Sequence, residues 1–255
     1  MRKKIVAGNW KMNKNWAEAK ELLLGVNSFV SSRNPKCEVI VAPPATYLLN
    51  AAEIFQSNAE ISAQNVSEFE PGAYTGEIST DILNSIGVKY SIIGHSERRS
   101  IFGETNEQIG KKVDKALAAN ISPILCCGEV LEERKANKHV DVVSEQLKAA
   151  LKNVKKEQMK DVIIAYEPVW AIGTGETATP EQAQEMHAEI RALLRSLFDQ
   201  ETSEAVRILY GGSVKPSNAD ELFSQPDIDG GLVGGASLNI EDFSALITSG
   251  SNATK

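Results

Sequence analysis

Val162-Ile163-Ile164-Ala165-Tyr166-Glu167-Pro168-Val169-Trp170-Ala171-Ile172-Gly173-Thr174-Gly175-Glu176-Thr177-Ala178-Thr179-Pro180-Glu181-Gln182 is the stretch that says most about the fold. It opens on a nearly continuous apolar run, as parallel strands covered on the outside by helices do. It closes on a helix start. Thr179 can cap, Pro180 has its φ pre-set for the first helical position, and Gln182 completes a capping box. Beyond it Ala183, Met186, Ile190, Leu193, Leu194 and Leu197 recur at three and four residues, one face of a helix over Pro180–Phe198. The unit is a strand, a polar loop and a helix.

The same unit recurs outward in both directions. Strands are expected at Ile5–Ala7, Val39–Ala42, Ile61–Ala63, Tyr90–Ile93, Pro123–Cys126, Val162–Tyr166, Arg207–Tyr210 and Gly231–Val233. Helical patterns lie between and after them, at Asn15–Ser31, Tyr47–Phe55, Thr80–Ile86, Asn106–Ala119, Leu131–Leu151, Pro180–Phe198, Asn218–Phe223 and Ile240–Ile247. The chain has 255 residues, close to the roughly 250 of a (β/α)₈ barrel. An open doubly wound sheet uses the same units, so alternation alone does not choose between them. No low-complexity linker or charge block divides the sequence, and one domain over 1–255 is expected. The segments Glu132–Lys138 and Lys152–Lys160 read as solvated helix faces and turns, and the tail Ser249–Lys255 as frayed.

Composition narrows the function classes. The chain is 42% hydrophobic and 24% charged, ordinary for a globular protein. Its charge is 27 − 34 = −7, which argues against a general nucleic-acid binder. No apolar run approaches the eighteen or so residues of a membrane span, and the N-terminal apolar stretch is too short for a signal peptide. A soluble cytoplasmic protein is expected. The three cysteines, Cys37, Cys126 and Cys127, offer neither a disulfide framework nor a zinc site. The Cys126–Cys127 pair reads as buried small hydrophobes.

In a parallel barrel the chemistry sits at the C-terminal ends of the strands. There the sequence places Asn9, Trp10 and Lys11 after the first strand and Gly94-His95-Ser96-Glu97 after the fourth. Glu167 to Gly175 follow the sixth, Gly211-Gly212-Ser213 the seventh, and Gly234-Gly235-Ala236 the eighth. Glycine turns let backbone N–H groups approach an anion, and turns after the last two strands are the usual phosphate site of such barrels. Glu167 could act as a general base, or pair with a lysine as an ordinary strand-end carboxylate. His95, opening a short helix, should have its pKa lowered by the dipole and stay neutral. Each residue alone has a plain structural explanation.

Taken together and in order, these stretches resemble the triosephosphate isomerase family. The matching segments are Ala7–Asn13, Ala42-Pro43-Pro44, Ala63-Gln64-Asn65, Gly72–Glu77, Gly94–Arg99, Ala165–Gly175, Tyr210–Val214 and Gly231–Leu238. They span nearly the whole chain. The resemblance implies a single-domain TIM barrel that interconverts dihydroxyacetone phosphate and D-glyceraldehyde 3-phosphate in glycolysis and gluconeogenesis. Glu167 would be the base, His95 the neutral electrophile, and Lys11 the cation, with Asn9 beside it and Glu97 as its carboxylate partner. The main-chain N–H groups of Gly173, Ser213, Gly234 and Gly235 would hold the phosphate, and Pro168–Thr174 would close over it. The resemblance implies no metal and no organic cofactor. It implies a homodimer, with the loop Glu68–Glu77 inserting into the partner and Thr75 reaching its active site. Cys127 departs from the family's usual aliphatic residue and could add oxidation sensitivity.

Two other readings compete. Gly173-Thr174-Gly175-Glu176-Thr177-Ala178 fits the dinucleotide fingerprint, but that motif should directly follow its strand and open its helix. Here the strand ends near Tyr166, and the helix starts only at the Thr179 cap. A phosphate-binding barrel without catalysis would use the same glycine turns, yet would not need Lys11, His95 and Glu167 together.

Overall fold

The apolar runs close on themselves. In this computed structural model, which describes residues 2–56, 59–172 and 177–254, eight parallel strands form a closed barrel in chain order. They are β1 (Ile5–Asn9), β2 (Glu38–Ala42), β3 (Glu60–Ala63), β4 (Tyr90–Ile93), β5 (Ser122–Cys127), β6 (Ile163–Tyr166), β7 (Arg207–Tyr210) and β8 (Gly230–Val233). Closure is explicit in the register. Ile5 pairs with Glu38 on one side and with Gly230 on the other. This settles the choice left open by alternation, in favour of the (β/α)₈ barrel.

The two-residue period of a strand sorts side chains into two cores. Ile5, Ala7, Ile40, Ile92, Ile124, Cys126, Ile163, Ala165, Leu209 and Leu232 fill the barrel interior. Their neighbours Val6, Val41, Ile93, Leu125, Cys127, Ile164 and Ile208 face outward and pack against the helices. Both faces are buried, which is why the strands read as apolar runs and not as alternating ones. Cys126 and Cys127 therefore lie in different cores, and burial pushes both thiols up in pKa.

The helix over Pro180–Leu197 begins as the sequence dictates. Thr179 Oγ1 accepts the Gln182 N–H, and Gln182 Oε1 accepts the Thr179 N–H. Elsewhere two expectations are corrected and one element is added. The helix expected over Leu131–Leu151 is two helices, Leu131–Lys135 and His139–Ala150. Asn137 between them has φ 56°, a left-handed conformation that asparagine tolerates and that ends a helix. The tail is not frayed as far as Ala253, because the last helix runs Ile240–Ala253, and Lys255 lies outside the described residues. Gly250 packs so closely on the barrel that a β-carbon there would lie 2.6 Å from Val6 Cγ2, and Ser251 Oγ accepts the Lys36 N–H at 2.9 Å. A short helix, Gln200–Ala205, was not expected. Asp199 caps it by accepting the Thr202 N–H at 2.8 Å.

Candidate active site

β1 delivers Asn9 and, two residues on, Lys11. Asn9 Oδ1 accepts the Lys11 N–H at 3.0 Å, and Gln64 Nε2 donates to the Lys11 carbonyl at 2.9 Å and to the Ala42 carbonyl at 2.9 Å. These contacts hold Lys11 in the left-handed region, φ 52°. That conformation costs a residue with a β-carbon roughly 1–3 kcal/mol. The strained turn sends the ammonium to the barrel mouth, where it meets Glu97 Oε1 at 2.6 Å.

β4 delivers His95, which caps the short helix Ser96–Ser100 with its side chain. Nδ1 accepts the Glu97 N–H at 3.2 Å. An atom that accepts carries the lone pair, so the ring proton sits on Nε2. Nε2 faces Glu167 Oε1 at 2.8 Å.

β6 delivers Glu167. Its N–H donates to the Cys127 carbonyl at 2.7 Å, and its side chain is only 1% exposed. The slot is shaped by residues without side chains. A β-carbon on Gly128 would lie 1.7 Å from the Glu167 carbonyl oxygen, and one on Gly211 2.9 Å from Glu167 Cγ. Gln146 holds Gly128 in place from outside, accepting its N–H at 2.8 Å and donating to its carbonyl at 2.9 Å. Glu167 Oε2 accepts the Ser96 N–H at 2.9 Å.

The electrostatics follow from this packing. Burial pushes the Glu167 carboxyl up in pKa, but His95, the Ser96 N–H and Lys11 pull it down and prevail. Burial pushes His95 down, and the charge and hydrogen bond of Glu167 raise it above its ordinary value. The helix start alone suggests a lowered value, a reading that leaves out the carboxylate seated on Nε2. The raised value belongs to this resting contact and loses its main cause once Glu167 moves away.

Asn9, Lys11, His95, Ser213, Gly234 and Gly235 line one cavity of about 690 Å³ at the C-terminal mouth. Glu97 lines a neighbouring cavity of about 310 Å³ that shares Asn9, Lys11 and His95. Glu167 lies behind His95, touching it without lining either space. A β-carbon on Gly235 would meet nothing within 4 Å, so that turn faces open space. Gly173 lies outside the described residues. The expected lid is described only as far as Ile172. Its first part forms a tight turn, Val169–Ala171, and Trp170 Nε1 donates to the buried Glu129 at 2.8 Å.

Three contributors were not assigned from sequence. Gln64 sits directly past β3, where the rule applied to the other strands would have found it. Ser96 lies in the stretch singled out after the fourth strand, but its bond to Glu167, 71 residues away, could not be read there, and Gln146, 18 residues from Gly128, carries no sequence signal. Among the described residues no helix is long and apolar enough to cross a membrane, and no group of three His, Cys, Asp or Glu side chains could hold a metal ion.

Known proteins resemble this chain over nearly its whole length. A family model described as triosephosphate isomerase matches residues 4–250. A protein named triosephosphate isomerase from Flavobacterium johnsoniae is 52% identical over 249 residues, 97% of this chain and 99% of that protein. One of the same name from Chloroherpeton thalassium is 52% identical over 253 residues, covering 98% and 99%. A third, from Phocaeicola vulgatus, is 50% identical over 248 residues, covering 97% and 98%.

Proposed function

The chain belongs to the triosephosphate isomerase family, whose reaction interconverts dihydroxyacetone phosphate and D-glyceraldehyde 3-phosphate in glycolysis and gluconeogenesis, and we propose that Glu167, His95 and Lys11 carry it out here. The observation that carries this assignment is the 2.8 Å contact between Glu167 and His95 Nε2, behind a cavity that His95 and Lys11 line.

The proposed steps use only these side chains. Glu167 removes a proton from the carbon next to the substrate carbonyl, and the electron pair moves onto the carbonyl oxygen to form an enediolate. His95 Nε2–H donates to that oxygen and shuttles the proton between the two oxygens. The protonated Glu167 then returns its proton to the adjacent carbon. This family is itself the standing example of a glutamate base with a neutral histidine. In the resting chain Glu167 occupies the same Nε2–H that the substrate carbonyl needs. Substrate binding thus displaces the base from its seat and frees it for the carbon.

Magnitudes show why several groups are needed. An ammonium about 4 Å from the developing charge, at an effective dielectric near 20, is worth about 4 kcal/mol. That is about a thousandfold in rate, less whatever part already acts on the bound substrate's phosphate. General-base catalysis supplies about 10²–10⁴-fold more. Glu97, ion-paired to Lys11, keeps the ammonium in place, and Asn9 holds the turn. The N–H groups of Ser213, Gly234 and Gly235, together with Gly173, bind the phosphate, and closure of Pro168–Thr174 excludes water. No metal or organic cofactor enters these steps.

The working unit in this reading is a homodimer in the cytoplasm. Its support is the loop Glu68–Glu77, where Phe69 and Tyr74 stack with centroids 4.2 Å apart while both remain exposed, with Met12 and Phe102 exposed as well. Insertion of Thr75 into the partner would cover this surface. A monomer mass in light scattering at full activity counts against the dimer, and recovery in a membrane fraction counts against the location.

The test is conversion of D-glyceraldehyde 3-phosphate without added cofactor, comparing the chain with Glu167→Ala at matched circular dichroism. Turnover in the first and a loss of orders of magnitude in the second is expected. Equal turnover in both rejects Glu167 as the base.

A further inference from the structure

One cation near the site has no part in the steps above. Arg99 lies on the helix Ser96–Ser100, partly buried behind His95. Its guanidinium reaches three separate elements. Nε donates to the Gly94 carbonyl at 2.7 Å, one NH₂ group to Asn106 Oδ1 at 2.7 Å, and the other to the Cys126 carbonyl at 3.0 Å. These are the turn after β4, the start of the next long helix, and the end of β5. All three acceptors are neutral. Among the described residues no carboxylate touches the guanidinium; holding a cation that way is costly, and an arrangement of that kind needs a reason.

The surroundings are built to fit it. Gly94 has φ 72°, and a β-carbon there would lie 3.1 Å from the Arg99 guanidinium and from Ile109. The left-handed turn at Gly94 and the space behind it thus both require glycine. Gly94 immediately precedes His95, and Ser96 donates to Glu167. Any shift of this turn against β5 moves the electrophile and the base's seat together.

We infer that Arg99 is a positioning residue, which fixes the His95–Ser96 turn against β5 and thereby sets where the ring and the resting Glu167 carboxylate meet. The inference rests on the roles proposed for His95 and Glu167. A planar fork with five donors suits three acceptors in three directions, whereas a lysine ammonium cannot span them. The charge also acts through space. Arg99 and Glu167 attract one another, so Arg99 favours the ionised base. The other charged or titratable groups acting on Glu167 are His95, Lys11 and the Cys126 and Cys127 thiols.

The test uses Arg99→Met and Arg99→Lys, each checked for fold by circular dichroism and melting. In Arg99→Met, kcat per folded chain should fall about ten- to a hundredfold, the loss that follows from ångström-scale misplacement of reacting groups. KM should stay near wild type, because the turns after β7 and β8 are untouched. Arg99→Lys should also lose kcat. Carbon-13 carboxyl titration of Glu167, assigned by its disappearance in Glu167→Gln, supplies a readout that does not depend on turnover. The titration should move to higher pH in Arg99→Met and stay in place in Arg99→Lys, which keeps the charge. Wild-type kcat in folded Arg99→Met overturns the inference, as does a KM that rises as much as kcat falls. If Arg99→Met does not fold, wild-type kcat in Arg99→Lys overturns it. A parent chain without turnover would instead reject the isomerase steps, while the carboxyl titration still reports on Arg99.

Discussion

The two ends of the barrel hold charge clusters of similar composition that serve opposite ends. At the N-terminal end Asp229, 1% exposed, accepts from Arg2 Nε at 2.7 Å, from Arg191 at 2.9 Å and from the Ile208 N–H at 2.9 Å. Arg191 also bonds Asp227 and the carbonyls of Ser203 and Val206, and Lys4 Nζ bonds the Ile228 carbonyl. The charges there are spent on one another and on strand ends, even though a cavity of about 670 Å³ lies beside them. At the C-terminal end the ammonium of Lys11 pairs with the carboxylate of Glu97, His95 and Glu167 share a single proton, and the backbone at Lys11 is strained. The lesson is that charge alone does not mark a site. Groups whose partners can be exchanged for a ligand mark it, whereas groups locked to the backbone stabilise the fold.

The sharpest break between the ends is Glu167→Ala. It should lower kcat by at least the 10²–10⁴-fold of general-base catalysis, at a smaller stability cost than Asp229→Ala, because the partners left behind are a neutral histidine and a backbone N–H and not two guanidinium groups. A melting temperature that collapses together with activity would erase the distinction. At the other end Asp229→Ala leaves Arg2 and Arg191 without their shared partner. It should cost about 3–5 kcal/mol in denaturant unfolding, with kcat per folded chain unchanged. Lost turnover at unchanged stability would contradict that.

His187 sharpens the contrast beside the same cluster. Its Nδ1 lies 3.2 Å from the Asp227 carbonyl, its ring stands edge-on to Tyr166, and burial pushes its pKa down to about 3 from 6.5. Between these values the unfolded chain binds a proton that the folded chain refuses. Stability should therefore fall as pH drops from about 6.5 towards 3, by up to about 1.4 kcal/mol per pH unit from this group. The variant His187→Gln should flatten that slope, and an unchanged slope would assign it to other groups. The smallest effect is expected at the phosphate turn. Gly235→Ala meets open space and should melt like the parent, while KM rises about tenfold, or about 1.4 kcal/mol, because the methyl group enters the ligand's space. Unchanged KM would remove Gly235 from the phosphate site.

Much of this was legible in the sequence, for local reasons. Burial of β6 on both faces makes Ile163–Tyr166 an apolar run, and the Thr179–Gln182 box marks its helix within four residues. The site followed from one rule, since polar residues just past the strand ends must face the mouth. What escaped depends on distance along the chain or on single conformations. The break at Asn137 is one residue in a left-handed state. The ordered tail depends on Gly250 meeting Val6 across the whole chain. The N-terminal cluster joins Arg2 to Asp229, 227 residues apart, and no spacing could announce it. The packing of Glu167 behind His95, outside the cavity, likewise needs β4 and β6 in place.

The central claim is that the C-terminal cluster moves a proton through a carboxylate that can exchange with solvent. The direct measurement is isomerisation of D-glyceraldehyde 3-phosphate in deuterium oxide, with the dihydroxyacetone phosphate product read by proton NMR. A base that holds the proton between two carbons predicts deuterium at the receiving carbon in part of the product, and a sharp loss of product in Glu167→Ala. Product formed with no deuterium at that carbon, at the same rate in both chains, would contradict the account.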